Sequence, residues 1–174
     1  MEIDGAFRLR FWRETFWHWV RGQYRELPDS EIKARVIEYI NRSYFRVGKA
    51  TIGNVIEQLK GQAFLSSRVD SPAWLDKSKK PDWNPQDLLI CKNAIIHLPS
   101  LFSGAEHRIQ PTPSLFTTTA LDFDFIDADK CPRPDRWLAF LDELWPDDQE
   151  SIDALQLWFG YCLTADARQH KLLC

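Results

Sequence analysis

A chain of 174 residues, 44% hydrophobic and 27% charged, is long and apolar enough for one globular domain or a compact body with a small attached subdomain, which excludes general disorder. The net charge of -3 excludes a polycation that holds nucleic acid by bulk electrostatics. No run of about 18 apolar residues occurs, and the start MEIDGAFRLRFW lacks a long apolar stretch after basic residues, so membrane spanning and secretion are disfavoured and a cytoplasmic location is expected.

Cys91, Cys131, Cys162 and Cys174 are far apart, with no C-x-x-C pair and no paired His nearby, which suggests neither a zinc site nor a disulfide framework. Eight Trp and eleven Phe are many for this length, and their first use is core, with stacking on bases or partner surfaces second. Charge is unevenly spread. From Arg42 to Lys80 eight basic residues stand against three acidic ones, whereas from Leu121 to Gln156 eleven acidic residues stand against three basic. One end can face phosphate and the other cannot, which suits a module placed between DNA and another protein part.

In chain order, Phe7 to Leu27 is an aromatic-rich run broken at Arg21-Gly22, which predicts a β-hairpin with rings on both faces, packed from each side. Ile32, Val36, Ile40 and Tyr44 recur at four-residue steps, giving a helix from about Ser30 to Tyr44 with Asp29 or Ser30 as its cap. Ile52, Val55, Ile56, Leu59 and Ala63 give a second helix capped by Thr51, and the pair has the outline of a helix-turn-helix. Ser66 to Gln86 reads as a long loop anchored by Trp74 and Trp83. Leu88 to Cys91 and Ala94 to Leu98 flank a tight turn at Asn93, and a third extended region runs from Ser114 to Phe125, ending in apolar and acidic alternation. Beyond Pro132 the period becomes helical. Trp137, Leu141, Leu144 and Trp145 mark one helix, and Ile152, Leu155, Phe159 and Leu163 the next, separated by Trp145-Pro146-Asp147-Asp148. The last residues, from His170, resemble the opening of a strand.

The expected class is therefore α+β: mostly helical with short β-hairpins, a helix-turn-helix-like pair and a C-terminal helical pair. Residues 1–130 form the body and residues 131–174 a helical extension.

Trp137 to Leu173, WLAFLDELWPDDQESIDALQLWFGYCLTADARQHKLL, resembles a family signature of W-x-x-F-L, an acidic pair, L-Q-x-W-x-G-Y-x-L-T and a lead-in strand. That signature belongs to the helical accessory domain preceding the superfamily 3 helicase in phage, plasmid and poxvirus primase-helicases. Pro72 to Leu75, Asp87 to Leu89 with Lys92-Asn93, Pro113 to Thr118 and Asp122 to Phe125 also resemble it. Ala94 stands where relatives usually have Gly, and His97 where an acidic residue is often seen. The resemblance implies a non-catalytic accessory module of a replicative primase-helicase, with the helicase ATPase domain of the same parent as partner and a hexameric ring in that parent. In the family the last strand runs into a Walker A loop. No G-x-x-x-x-G-K-[ST] occurs in these residues, so no ATPase activity and no cofactor are expected of the chain, ATP and Mg²⁺ belonging to the helicase domain.

Arg46, Lys49, Lys60, Lys77, Lys79 and Lys80 are the candidate contacts for weak, non-specific DNA binding. Two alternatives compete. Asp122 and Asp124, on one face of a strand and followed by Asp127 and Asp129, suit a metal-dependent primase-type nucleotidyl transferase, although the same acids can simply line a solvated edge. A DNA-binding regulator would read sequence with Asn54, Gln58 and Lys60. His18, His97, His107 and His170 stand apart, without a nucleophile motif beside them.

Overall fold

Two tight turns organise the N-terminal part of the computed structural model, which describes residues 2–3, 6–43, 48–76 and 81–164. After a two-residue pair of strands, β1 (Glu2–Ile3) with β2 (Ala6–Phe7), come β3 (Leu9–Trp12), β4 (Thr15–Val20) and β5 (Gln23–Leu27), an antiparallel meander. The expected single hairpin is therefore three strands. The Arg21-Gly22 turn is where the sequence places it, with φ of 48° and 86°. The second, Arg13-Glu14, has φ of 49° and 63°, so both are turns of the type I′ kind, whose twist matches the strands they join. Only the first carries a Gly.

Alternation along the meander sends rings to both faces, as the sequence predicts. On one face Phe11, Phe16 and Leu27 pack beneath two antiparallel-sheet-covering helices, α1 (Asp29–Ser43) and α2 (Lys49–Ala63), which contribute Ile32, Val36, Ile56, Leu59 and Ala63. Burying a side chain such as Phe16, which is inaccessible to solvent, contributes about 2–3 kcal/mol. Helix α1 starts at Asp29, where the Pro28 carbonyl accepts from the Glu31 and Ile32 amides. Helix α2 starts two residues earlier than Thr51, from Gly48, whose place at the cap leaves Thr51 inside the first turn. Tyr44 lies outside the described residues.

The opposite face is an aromatic cluster of Trp12, Tyr24 and Phe116, flanked by Trp17, Trp19, Leu65, Val69 and Leu75. Trp12 and Phe116 meet edge to face at 5.1 Å, and the Trp12 indole donates to the Val69 carbonyl at 3.0 Å. Tyr24 is fully buried, and its hydroxyl donates to the Pro113 carbonyl at 2.7 Å. The outer strands are also engaged through their backbones: the Leu65 amide donates to the Phe11 carbonyl beside β3 at 2.8 Å, and the Tyr24 amide of β5 donates to Thr117 at 2.7 Å.

The stretch expected to be a loop, Ser66 to Gln86, contains a short strand, β6 (Ala73–Trp74), and leads into a 3-10 turn at Pro85–Asp87. Its partner is β10 (Leu115–Phe116). Between them β7 (Leu88–Ile90), β8 (Ile95–His97) and β9 (Arg108–Ile109) form a second antiparallel sheet, with α3 (Leu98–Ser103) between β8 and β9. Leu88, Ile90, Ile95 and Leu115 form its core, against Trp74 and Trp83. The two sheets meet where Gly22 faces the Cys91 carbonyl; a Cβ there would lie 3.3 Å from that oxygen.

The Lys92-Asn93 turn has no positive φ, so Ala94 is tolerated where a type I′ turn would favour Gly. The alternating segment Leu121 to Phe125 is not a ladder strand. It runs beside the β7 end, with the Leu121 amide donating to Ile90 at 2.8 Å, the Lys92 amide to Phe123 at 3.1 Å, and Asn93 bonding Phe125 through its side chain.

The C-terminal helices are α4 (Asp135–Leu144) and α5 (Gln149–Cys162), where the sequence periodicity places them. Asp147, at φ 61°, turns the chain, and Asp148 caps α5 by accepting from the Ser151 amide at 3.1 Å and hydroxyl at 2.7 Å. Those two bonds hold the Asp148 carboxyl below the usual carboxylate range. No helix among the described residues is long and apolar enough to cross a membrane. The lead-in strand from His170 lies outside the described residues.

Candidate functional site

Of the six basic candidates, Arg46, Lys77, Lys79 and Lys80 lie outside the described residues. Lys49 is exposed at the start of α2. Lys60 is eleven residues along the same helix, hence on nearly the same face, but it is committed: its ammonium pairs with Glu57 at 2.9 Å and lies 5.4 Å from the Phe11 ring centre. Asn54 and Gln58 are exposed one turn apart. Among the described residues, helix α2 thus presents Asn54, Glu57 and Gln58 outward, with Lys49 exposed at its beginning.

A cluster of basic side chains does exist, on residues outside the basic stretch of the sequence. Arg8 precedes β3, His18 lies on β4, and Arg35 on α1, and all three line a groove of ≈ 600 Å³ between the meander and the helical pair. Its floor is apolar, formed by Leu27, Ile32, Val36 and Leu59, and Tyr39, 74% exposed, stands at its rim with Ile40. Arg25 sits across from His18 in the β4–β5 register. Partial burial and then the guanidinium groups of Arg35 and Arg8 hold the His18 imidazole below its ordinary pKa, with Arg25 adding to this and Glu31 opposing it. Arg35 pairs with Glu31 at 2.5 Å, and Arg8 donates to the Trp19 carbonyl at 3.3 Å. Local charge counting missed this site because its members come from three elements. A signal was present all the same: reflecting the chain about Arg21-Gly22 puts Arg25 opposite His18.

Two of the acidic candidates are held by basic side chains. Asp122 pairs with Lys92 at 3.1 Å, which together with that hydrogen bond holds its carboxyl low, and Asp127 sits between Lys130 at 3.5 Å and Arg108 at 3.9 Å. Among the described residues no group of three or more His, Cys, Asp or Glu side chains is placed to hold a metal ion. His97 stacks on Trp83 at 4.9 Å and 6° and shares a hydrogen with Ser100 at 2.6 Å, while His107 meets the Ala105 carbonyl at 2.9 Å. His170 lies outside the described residues. Trp74 and Trp83 are anchors: the Trp74 indole donates to the Trp83 carbonyl at 3.2 Å, and both rings pack on the second sheet. Burial raises the Cys91 thiol pKa, with Asp124 adding to it, which makes Cys91 an unreactive core residue.

The second surface is the C-terminal pair. Trp137 of α4 contacts Phe159 of α5 at 5.8 Å and Leu141 is buried, yet α5 has no buried residue at all. Leu157 is 75% exposed, and Phe140, Leu144, Phe159 and Leu163 are each about half exposed. Phe102 of α3 joins Leu157 and Tyr161 around a hollow of ≈ 610 Å³. Seven carboxylates, all exposed, border these residues between Asp135 and Asp153, with Arg136 as the one cation there. Leu157 and Phe159, two residues apart, lie about 200° apart around α5, so the apolar side chains form two separate exposed patches, one with Phe102 and Tyr161 and one beside Trp137.

The sequence matches no family model and no curated protein.

Proposed function

We propose that this chain is a non-catalytic accessory module of a replicative primase-helicase, which helps assemble the ring and engage DNA beside the motor. The observation that carries the reading is the set of exposed large apolar side chains on α4 and α5, in the stretch whose sequence resembles the approach to a superfamily 3 helicase. A helical pair that stood alone would be expected to bury most of these side chains, and a pair that docks leaves them open. Lys49, exposed at the start of α2, and Arg8 supply a modest phosphate-facing charge on a chain that is acidic overall.

The alternatives have less support. A transferase centred on Asp122 and Asp124 would need carboxylates aimed at one ion, and Asp122 instead holds Lys92. A recognition helix needs Lys60 outward, and Lys60 is folded onto Phe11.

The test is a titration of the full chain with labelled single- and double-stranded DNA at low salt and again at physiological salt. Weak, sequence-tolerant binding that fades with salt is expected. No affinity for either form at low salt removes DNA engagement and leaves assembly alone.

A further inference from the structure

One side of α5 carries Asp153, Leu157, Gly160 and Tyr161 at i, i+4, i+7 and i+8, the spacing of a single helical face. With Phe102 of α3 these residues line the hollow of ≈ 610 Å³. Phe102 and Leu157, at 84% and 75%, are the most exposed large hydrophobic side chains among the described residues. Gly160 lies between them in the lining. Its φ is not left-handed and a Cβ there would meet nothing within 4 Å, so neither a turn nor internal packing calls for glycine. Glycine inside a helix is less stable than alanine, and what it offers in exchange is close approach of another group to the backbone.

The charge around the hollow is of one sign. Helix α5 holds Glu150 and Asp153 and no Lys or Arg, and α3 holds no charged residue at all. Asp153 lines the hollow itself and accepts from the Gln149 amide at 2.7 Å, a neutral donor that leaves its charge in place. Phosphates of nucleic acid and anionic lipid are repelled from such a surface, and a polypeptide with cations beside its apolar anchors is attracted. We propose that the Phe102–Leu157 hollow is the docking site for a basic amphipathic helix of a partner protein. An apolar side chain of that helix sits over Gly160 between Phe102 and Leu157, and its Lys or Arg residues meet Asp153 and Glu150. Anchors recurring at i, i+3, i+4 and i+7 are how such a helix fills an apolar depression. This rests on the reading that the C-terminal pair docks on another protein part, and it names the chemistry of what docks there.

Fluorescence anisotropy of labelled peptides against the full chain, at low and at physiological salt, tests this. The probes are a helical peptide with Leu at i, i+3, i+4 and i+7 and Lys elsewhere, the same peptide with Glu for every Lys, and the Lys peptide with Ser for every Leu. The first is expected to bind, less tightly as salt rises, and the other two to bind at least about tenfold more weakly. Gly160→Met fills the hollow with a better helix former, and Leu157→Ser removes one wall. Each is expected to weaken the Lys–Leu peptide by about tenfold or more, with an unchanged circular dichroism spectrum. Phe140→Ser, beside Trp137 on the other patch, is expected to leave that binding as it was. A Lys–Leu peptide that does not bind, or that binds Gly160→Met as tightly as wild type, overturns the proposal, and so does equal binding of the Glu–Leu peptide. Loss of binding in Phe140→Ser alone also overturns it, while leaving the docking reading of the helical pair in place. If sedimentation shows the wild type associating with itself and Gly160→Met not, the occupant is a second copy and the partner named here is wrong.

Discussion

The side-chain amide of Asn93 stands in for a peptide group opposite Phe125, its Nδ2 donating to the Phe125 carbonyl at 3.0 Å and its Oδ1 accepting from the Phe125 amide at 2.8 Å. Through these two bonds a turn holds down the acidic segment that follows β10. Asn93→Asp keeps the acceptor and turns the donor into a second oxygen facing a carbonyl. The expected loss is about 1–3 kcal/mol in urea unfolding, with Asn93→Ala at the low end.

The Arg13-Glu14 turn has non-glycine residues at positive φ. Glu14→Gly relieves left-handed strain of about 1–2 kcal/mol and loses part of that to unfolded-chain entropy, so a net gain of up to about 1 kcal/mol is expected. Gly22→Ala should do the reverse. Its φ is +86° and its Cβ would press on the Cys91 carbonyl, so the urea midpoint should fall.

Tyr24→Phe leaves the buried Pro113 carbonyl without its donor, at a cost of about 1–3 kcal/mol. Burial raises the Tyr24 pKa in the folded state. Its contribution to stability is therefore complete below the ordinary tyrosine value of about 10 and is lost as pH rises from there through the folded pKa. Unfolding midpoints measured across alkaline pH should fall for the wild type and fall less for Tyr24→Phe.

His18 has the opposite sign. Its folded pKa lies below the ordinary value of about 6.5, so the unfolded state takes up the proton first. Stability is fully present above that value and declines as pH falls through the folded pKa. Thermal unfolding between neutral and mildly acidic pH should show a drop that His18→Gln reduces.

What the sequence made legible follows from locality. The five-helix α+β outline among the described residues, the C-terminal pair and the Trp145 to Asp148 break all rest on short-range periodicity and on turn chemistry within a few residues. The Arg13-Glu14 turn was hidden because neither residue is one that favours positive φ; the register Trp12 opposite Thr15 imposes it. Leu121 to Phe125 alternates like a strand, but its backbone partners are one edge of a turn and an Asn side chain, which no pattern encodes. Counting charges along the chain selected Lys60 and could not select the groove, because Arg8, His18 and Arg35 become neighbours only when α1 folds back over β4.

Leu65 along β3 and Thr117 along β5 close the meander at both margins with bonds from the chain's own backbone. An aromatic-rich sheet so bordered gives a foreign strand little to add to near its centre, which guards the molecule against runaway fibrous growth. Contact with another chain is thereby steered toward side-chain surfaces, where shape and charge can discriminate, and away from indiscriminate main-chain pairing.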